Sequence, residues 1–473
     1  MKLSTDLEQN MQFFQNLLHP GANFDVVYRV IRIGGREACI YFIDGFTKDE
    51  TLLRLMQAFG SIQSDAMPKT AHEFSKLFLP YGEISLEDET DSIVTQLLSG
   101  VPFLLIDGYH QALIIDCRTY PARGISEPEK DKVLRGSRDG FTETLIFNTA
   151  LIRRRIRDPK LRMEILSAGE SSHTDIALCY MENRVDASLL AMIQKRIKSL
   201  HVDALTMNQE SLAECLYPHK WYNPFPKFRF SERPDTAAAS ILEGNIIILV
   251  DNSPSAMILP SSIFDIIEEA DDYYFPPLTG TYLRLSRTVI FFLTLFLTPV
   301  WLLLMQNPQW IPQWLTFIQV EDDIHVALIY QLLILEFAID GLRLAAVNTP
   351  SMLTTPLSVI AGIVLGEYSV KSGWFNSETM LYMAFVTIAN YSMTSFELGY
   401  ALKFMRVLIL LLTFFFNLWG FAAGTIISIL CLVFNRTIAG KSYIYPLIPF
   451  RFQELKKRLF RNRLPHIYKD GNS

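Results

Sequence analysis

Apolar positions follow two regimes along the chain. Up to about residue 285 they come in strand-length runs between charged, polar stretches; beyond it they merge into long apolar blocks. The block 288–305, TVIFFLTLFLTPVWLLLM, holds 18 residues without a charge. That approaches the roughly 20 needed to cross a hydrocarbon core of about 30 Å, with Pro299 allowing a kink. Further apolar runs occupy 324–339, 356–370, 380–393 and 407–434. The last is about 28 residues long, which at about 1.5 Å per residue predicts either a tilted span or a break near Gly420 and Gly424. Four to six crossings are expected.

The short-run region echoes itself. Ala38-Cys-Ile-Tyr-Phe-Ile-Asp followed by residues 48–56 resembles Ala177-Leu-Cys-Tyr-Met-Glu followed by residues 185–193, each predicting a buried strand, a loop and an amphipathic helix with an Asp cap. Residues 100–107 and 111–115 resemble 244–251 and 255–259, and both pairs predict hairpins with polar turns. The offsets, 139 and 144 residues, nearly agree, which points to a tandem subdomain over about 21–120 and 140–275. The expected fold class is an α/β soluble region made of a tandem duplicated subdomain, followed by an α-helical polytopic membrane domain. Its expected parts are two cytoplasmic subdomains, 1–130 and 131–280, transmembrane helices over 281–440 and a basic cytoplasmic tail over 441–473.

Charge orients the membrane part. Arg284 and Arg287 precede the first apolar block, whereas the connection after it carries Glu321, Asp322 and Asp323 and no Lys or Arg. The positive-inside rule sends that connection outward and keeps the basic tail, from Arg436 onward, inside. With both termini cytoplasmic the number of crossings is even, so one of the five runs is split, re-entrant or interfacial. The first 30 residues have no charged n-region followed by an apolar core, so no signal peptide is expected.

Composition adds mainly exclusions. The formal charge of -6 comes with no basic stripe interleaved with aromatics, so nucleic acid is not an expected partner. Five scattered cysteines and eight unclustered histidines predict neither a disulfide framework nor a metal site, and no cofactor is expected. No Walker loop, dinucleotide fingerprint, HExxH or GxSxG occurs, so an enzyme is not expected. Asp107 and Asp251 end strands and are read as turn caps. The arginine run 153–157 is read as a solvated helix face, with docking to acidic lipid or a partner subunit as the alternative.

Candidate chemistry lies in the apolar half. Glu336, Asp340, Arg343 and Glu367 sit in or beside apolar runs, where a charge costs about 2.5–3.5 kcal/mol on insertion scales. The i, i+4, i+7 spacing of Glu336, Asp340 and Arg343 predicts pairing within one helix at the cytoplasmic end. In TPLSVIAGIVLGEYSV (355–370), Ser358, Gly362, Leu365 and Ser369 share one helical face. Such a small, weakly polar stripe suits either a narrow aqueous pore or tight helix packing through the Gly362/Gly366 pair.

Taken together, GSRDGFTETLIFNTALIRRRIRDPKLR (136–162), FRFSERPDTAAASILEGNIIILVDNSPSAMILP (228–260), DDYYFPPLTGTYLRLSR (271–287), GIVLGEYSV (362–370) and PLIPFR (446–451) are similar to the A subunit of the GerA-type spore germination receptors. Residues 336–358 and 381–412 look closest to the stage V sporulation branch of that family. The chain departs from the family where a Pro is usual, around Thr394, and where Phe396 replaces a Tyr. The resemblance implies a multi-pass protein of the spore inner membrane, in a homo-oligomeric ring of five, working with a small membrane partner or germinant receptor subunits. It also implies release of monovalent cations through a pore lined by Ser358, Gly362, Leu365 and Ser369, with Glu367 at its mouth. The alternative is a non-conducting scaffold that clusters germinant receptors in the bilayer.

Overall fold

The structure, a computed structural model, describes residues 2–47, 49–79, 83–117, 133–217, 222–348, 359–360, 362–393 and 395–461. The chain forms two compact units, one of Met1–Pro218 with Phe228–Pro260, the other of His219–Lys227 with Ser261–Ser473.

The first unit contains one pattern of elements twice. The first pass is α1 (Leu7–Leu18), β1 (Val26–Ile33), β2 (Arg36–Ile43), α2 (Asp49–Gly60), α3 (Ala71–Phe78), β3 (Ile84–Glu87), α4 (Thr90–Leu98), β4 (Phe103–Ile106) and β5 (Ala112–Ile115). The second is α5 (Leu145–Arg155), β6 (Leu161–Ala168), β7 (Thr174–Met181), α6 (Ala187–Lys198), α7 (Gln209–Leu216), β8 (Arg229–Ser231), α8 (Pro234–Leu242), β9 (Ile246–Val250) and β10 (Ala256–Leu259). The sheets have matching orders, β1-β2-β4-β5-β3 and β6-β7-β9-β10-β8. Every ladder in them is antiparallel, so the arrangement is α+β rather than a parallel α/β layering.

The first sheet is covered on both faces. Phe14 of α1 and Ile93 and Leu97 of α4 pack on Tyr41, Phe103 and Leu105. Phe59 of α2 and Phe74 of α3 pack on Ile40, Leu104 and Ile106. Double coverage explains why β4 and β9 read as unbroken apolar runs, since neither alternate face meets water.

Strand pairing sharpens the internal alignment. Ala38 lies opposite Ile106, and Ile176 opposite Val250, so Ile176 rather than Ala177 occupies the place of Ala38. The one-residue difference matters because it decides which face each side chain takes. The Asp cap expected for the second of these helices is present. Asp186 accepts from the backbone N–H of Ser188 and Leu189, while residue 48, its counterpart, lies outside the described residues.

The opening helices are tied down alike. Asp107 Oδ1 accepts from Leu7 N at 3.3 Å, and Asp251 Oδ1 from Leu145 N at 3.1 Å. Asn10 exchanges hydrogen bonds with the backbone of Ser4, as Asn148 does with Thr142. The strand-end aspartates therefore serve distant helix N-termini, satisfying donors that would otherwise lack a partner. The arginine run departs from a solvated face. Arg153 is buried and reaches Asp25 with Nε at 2.9 Å and Nη2 at 3.1 Å, while Arg155 pairs with Asp139 at 2.6 Å.

The second unit begins with α9 (Ile263–Ile267) and α10 (Asp271–Tyr274), followed by α11 (Pro277–Gln306) and α12 (Leu328–Asn348). A π-helical turn (Gly362–Tyr368), α13 (Ser377–Tyr391), α14 (Phe396–Val433) and α15 (Phe452–Leu459) complete it. The unit boundary falls at Pro260, earlier than the expected 280. Glu268 and Glu269, between α9 and α10, and Asp272 of α10 hold Arg284 and Arg287 of α11, so this stretch packs with the second unit. Among the described residues, α11 and α14 are long and apolar enough to cross a membrane.

Helix α14 is two helices. Asn417, at φ 52° and ψ −131°, breaks it. A Cβ on Gly420 would collide with the carbonyl oxygen of Leu412, and one on Gly424 would lie 3.0 Å from Ile409 Cα. Later residues thus meet progressively earlier ones, and 418–433 runs back along 396–416. The break anticipated at Gly420 or Gly424 falls at Asn417, and the glycines are where the returning helix presses on the outgoing one.

Candidate functional site

Helices α11, α12 and α14 meet around four charged side chains. Arg406 Nε donates to Glu336 Oε1 at 2.7 Å, and its Nη1 donates to the Thr294 carbonyl at 2.6 Å. Lys403 Nζ donates to the Glu336 carbonyl at 2.9 Å and pairs with Asp340. Glu336, Lys403 and Arg406 are all buried. Two carboxylates and two cations cancel, so the desolvation each charge would suffer is offset by a partner from another helix. A neutral, internally satisfied cluster locks helices together and leaves no net charge to attract an ion.

Arg343 behaves differently. Its guanidinium lies over the rings of Tyr391, Phe396 and Tyr400, at 4.7, 5.1 and 5.2 Å from their centroids. Cation–π stacking of this kind favours Arg, whose flat, weakly hydrated charge matches a ring face. Arg343 lines a groove of about 810 Å³ with Leu342, Gly362, Gly366, Met383 and Thr387. The walls are mostly apolar. Pairing of Glu336 or Asp340 with Arg343 inside α12, expected from spacing, gives way to pairing with α14.

The stripe from 358 to 369 is placed in part. Gly362–Tyr368 is π-helical, so the 3.6-residue period that aligned Gly362 with Leu365 and Ser369 does not hold through it. A Cβ at Gly362 or Gly366 would meet nothing within 4 Å, so neither glycine serves close packing among the described residues. Ser369 Oγ donates to the Gly366 carbonyl at 3.3 Å. Glu367 pairs with Lys371 at 2.5 Å on an exposed turn. Ser358, Thr394 and the side chain of Leu365 lie outside the described residues.

Residues 12–471 match the family model described as Bacillus/Clostridium GerA spore germination protein. The chain belongs to this GerA family. It is 35% identical to stage V sporulation protein AF of Bacillus subtilis (strain 168) over 459 residues, 97% of this chain and 92% of that one. It is 27% identical to spore germination protein KA of the same organism, over 93% of this chain and 82% of that one. The crystal structure of the N-terminal domain of the A subunit of the Bacillus megaterium spore germinant receptor GerK3 aligns at 24% identity and a TM-score of 0.42, covering 55% of this chain and 96% of that one.

In this GerA-family chain, sequence reasoning singled out the acids of the charge cluster and overlooked its bases. Lys403 and Arg406 sit in ELGYALKFMRVLILLL, where they border an apolar run and resemble flanking charge. Their signal was the shared spacing: Glu336 and Asp340 are four residues apart, Lys403 and Arg406 three, so each pair occupies one helix face.

Proposed function

We propose that this chain is a polytopic subunit of a spore germination ion channel, built as a homo-oligomer whose π-helical segment lines the conduction path for monovalent cations. The carrying observation is that Gly362 and Gly366 stand open: a methyl group on either would meet nothing within 4 Å, so no helix among the described residues accounts for two glycines here. A π-turn in such a segment also turns backbone carbonyls away from the regular ladder, and π-turns recur at functional sites.

Helix pairings support a six-crossing path. Asn307 and Asn417 exchange amide hydrogen bonds at 2.6 and 3.2 Å, bringing the end of α11 to the break in α14. Gln331 and Asn376 join the starts of α12 and α13, while Arg343 and Tyr391 join their ends, so these helices run the same way. The segment between them must then return across the bilayer. With Arg284 and Arg287 inside, α11, the returning segment and 396–416 run outward, while α12, α13 and 418–433 run inward. Both termini lie in the spore core and the membrane is the spore's inner one. Germinant receptor subunits or a small membrane protein are the natural companions.

The test is ion release from spores carrying Gly362→Trp or Gly366→Trp. Potassium or sodium release should fall at least tenfold while the variant accumulates in the membrane and keeps the wild-type oligomer size. Unchanged release with either variant, or a stable monomer in purified wild-type protein, overturns the channel assignment.

A further inference from the structure

The C-terminal helix α15 is held by one face. Arg458 Nη1 lies 2.5 Å from Asp265 Oδ1 and 3.3 Å from Glu268 Oε2. Arg284 Nη1 donates to the Lys457 and Arg458 carbonyls at 3.2 Å each, capping the end of α15, and Arg461 N donates to Thr281 Oγ1 at 3.1 Å. These contacts fix both the rotation and the depth of α15. Arg284 precedes Thr288, where the apolar block begins, by one helical turn, about 6 Å. The layer between hydrocarbon and water is about 5–7 Å deep on each side of a bilayer, so α15 is held at headgroup level.

The opposite face is exposed and patterned. Phe452 and Lys456 stand one helical turn apart, Phe460 follows just past the end of α15, Lys457 pairs with Glu454 at 3.5 Å beside them, and Phe450 lies just before the helix. Aromatic rings at this depth favour the acyl boundary, and ammonium groups between them favour lipid phosphates.

We propose that α15 is an interfacial anchor at which Phe452, Lys456 and the adjoining Phe460 bind anionic phospholipid headgroups of the membrane that the chain spans. The occupant is lipid because the Lys456 ammonium lies between the rings of Phe452 and Phe460 at headgroup depth. A free phosphate would gain nothing from the phenylalanines. The proposal rests on residues 288–305 crossing the bilayer.

Hydrogen–deuterium exchange of the full chain in nanodiscs tests it, comparing phosphatidylcholine alone with a mixture containing phosphatidylglycerol. Exchange across 450–460 should slow on the order of tenfold with the anionic lipid, and Lys456→Glu with Lys457→Glu should abolish the difference. Equal exchange in both bilayers overturns the proposal, as does slowing that survives in the double variant or that tracks protein concentration without anionic lipid. The peptide 289–305 separates the two ideas. Should it exchange freely, the crossing itself fails; should it be protected while 450–460 ignores lipid charge, only the anchor fails.

Discussion

Arg406 Nε donates to Glu336 Oε1 at 2.7 Å across two helices of the apolar unit, with the residues 2% and 5% exposed. Removing one partner strands a buried charge. Glu336→Ala should therefore destabilise the protein by about 3–5 kcal/mol, whereas Glu336→Leu combined with Arg406→Met should recover most of that loss. Thermal unfolding in detergent over the full double-mutant cycle measures the coupling, and additive losses would show that the two residues do not act as a pair.

Within the first unit, Arg153 and Asp25 form the corresponding buried pair, linking α5 of one repeat to the residues before β1 of the other. Asp25→Ala should cost about 3–5 kcal/mol. The half-buried Asp139–Arg155 pair should matter less, about 1 kcal/mol. Burial pushes the Asp139 carboxyl upward, but hydrogen bonds from Arg155 and Ser137 outweigh it and hold the group below the usual carboxylate range. A depressed folded value means stability that is present above about pH 4, the unfolded range for Asp, and is lost as pH falls through the folded value. Asp139→Asn should thus be less stable than wild type at pH 7 and converge with it in acid.

The duplication was legible because its central strands are apolar on both faces and carry the same Gly and Asp punctuation, Gly100 with Asp107 and Gly244 with Asp251. Its start was not. The opening helix of each repeat is marked by a Ser or Thr three residues before a Leu and an Asn three after it, Ser4-Leu7-Asn10 and Thr142-Leu145-Asn148, a polar signature that an apolar search passes over. An irregularity between α7 and β8 was also hidden. The offset between repeats rises from 138 at α3 and α7 to 144 at α4 and α8. The six added residues fall in the stretch that includes His219–Lys227, which belongs to the other unit. There Phe225 is buried beside Phe291 and Tyr443, and Asn223 Nδ2 donates to the Cys431 carbonyl at 3.1 Å. In the apolar unit, hydropathy located the blocks, but a uniform apolar run carries no record of direction, so the hairpin at Asn417 could not be read from composition.

That hairpin is testable at its closest approach. Gly420 faces the Leu412 carbonyl and Gly424 faces Ile409 Cα, so any side chain forces the antiparallel halves apart. Gly420→Val should destabilise by at least about 1–3 kcal/mol, the usual cost of overpacking. Gly341→Val, where a Cβ meets nothing within 4 Å, should leave the fold intact. Cysteines at 409 and 424 should cross-link within one chain under mild oxidation, and failure to do so would argue for a single continuous helix.

Thiol reactivity should grade the core of the first unit. Burial pushes the Cys39 thiol up to about 12 and Cys117 up to about 11, and it raises Cys179 as well. Only the thiolate reacts, so at pH 8 Cys39 offers about one part in ten thousand of the reactive form, quite apart from being shielded. Cys215 is raised too, by burial and by Glu214, yet it remains partly exposed. Iodoacetamide at pH 8, mapped by mass spectrometry on the folded chain, should label Cys215 well before Cys39, Cys117 or Cys179. Raising the pH to 9.5 should speed Cys215 without bringing in the buried three, because each still needs local opening to meet the reagent. Labelling of Cys39 at the rate of Cys215 would mean that the first sheet is not sealed between its two helical layers.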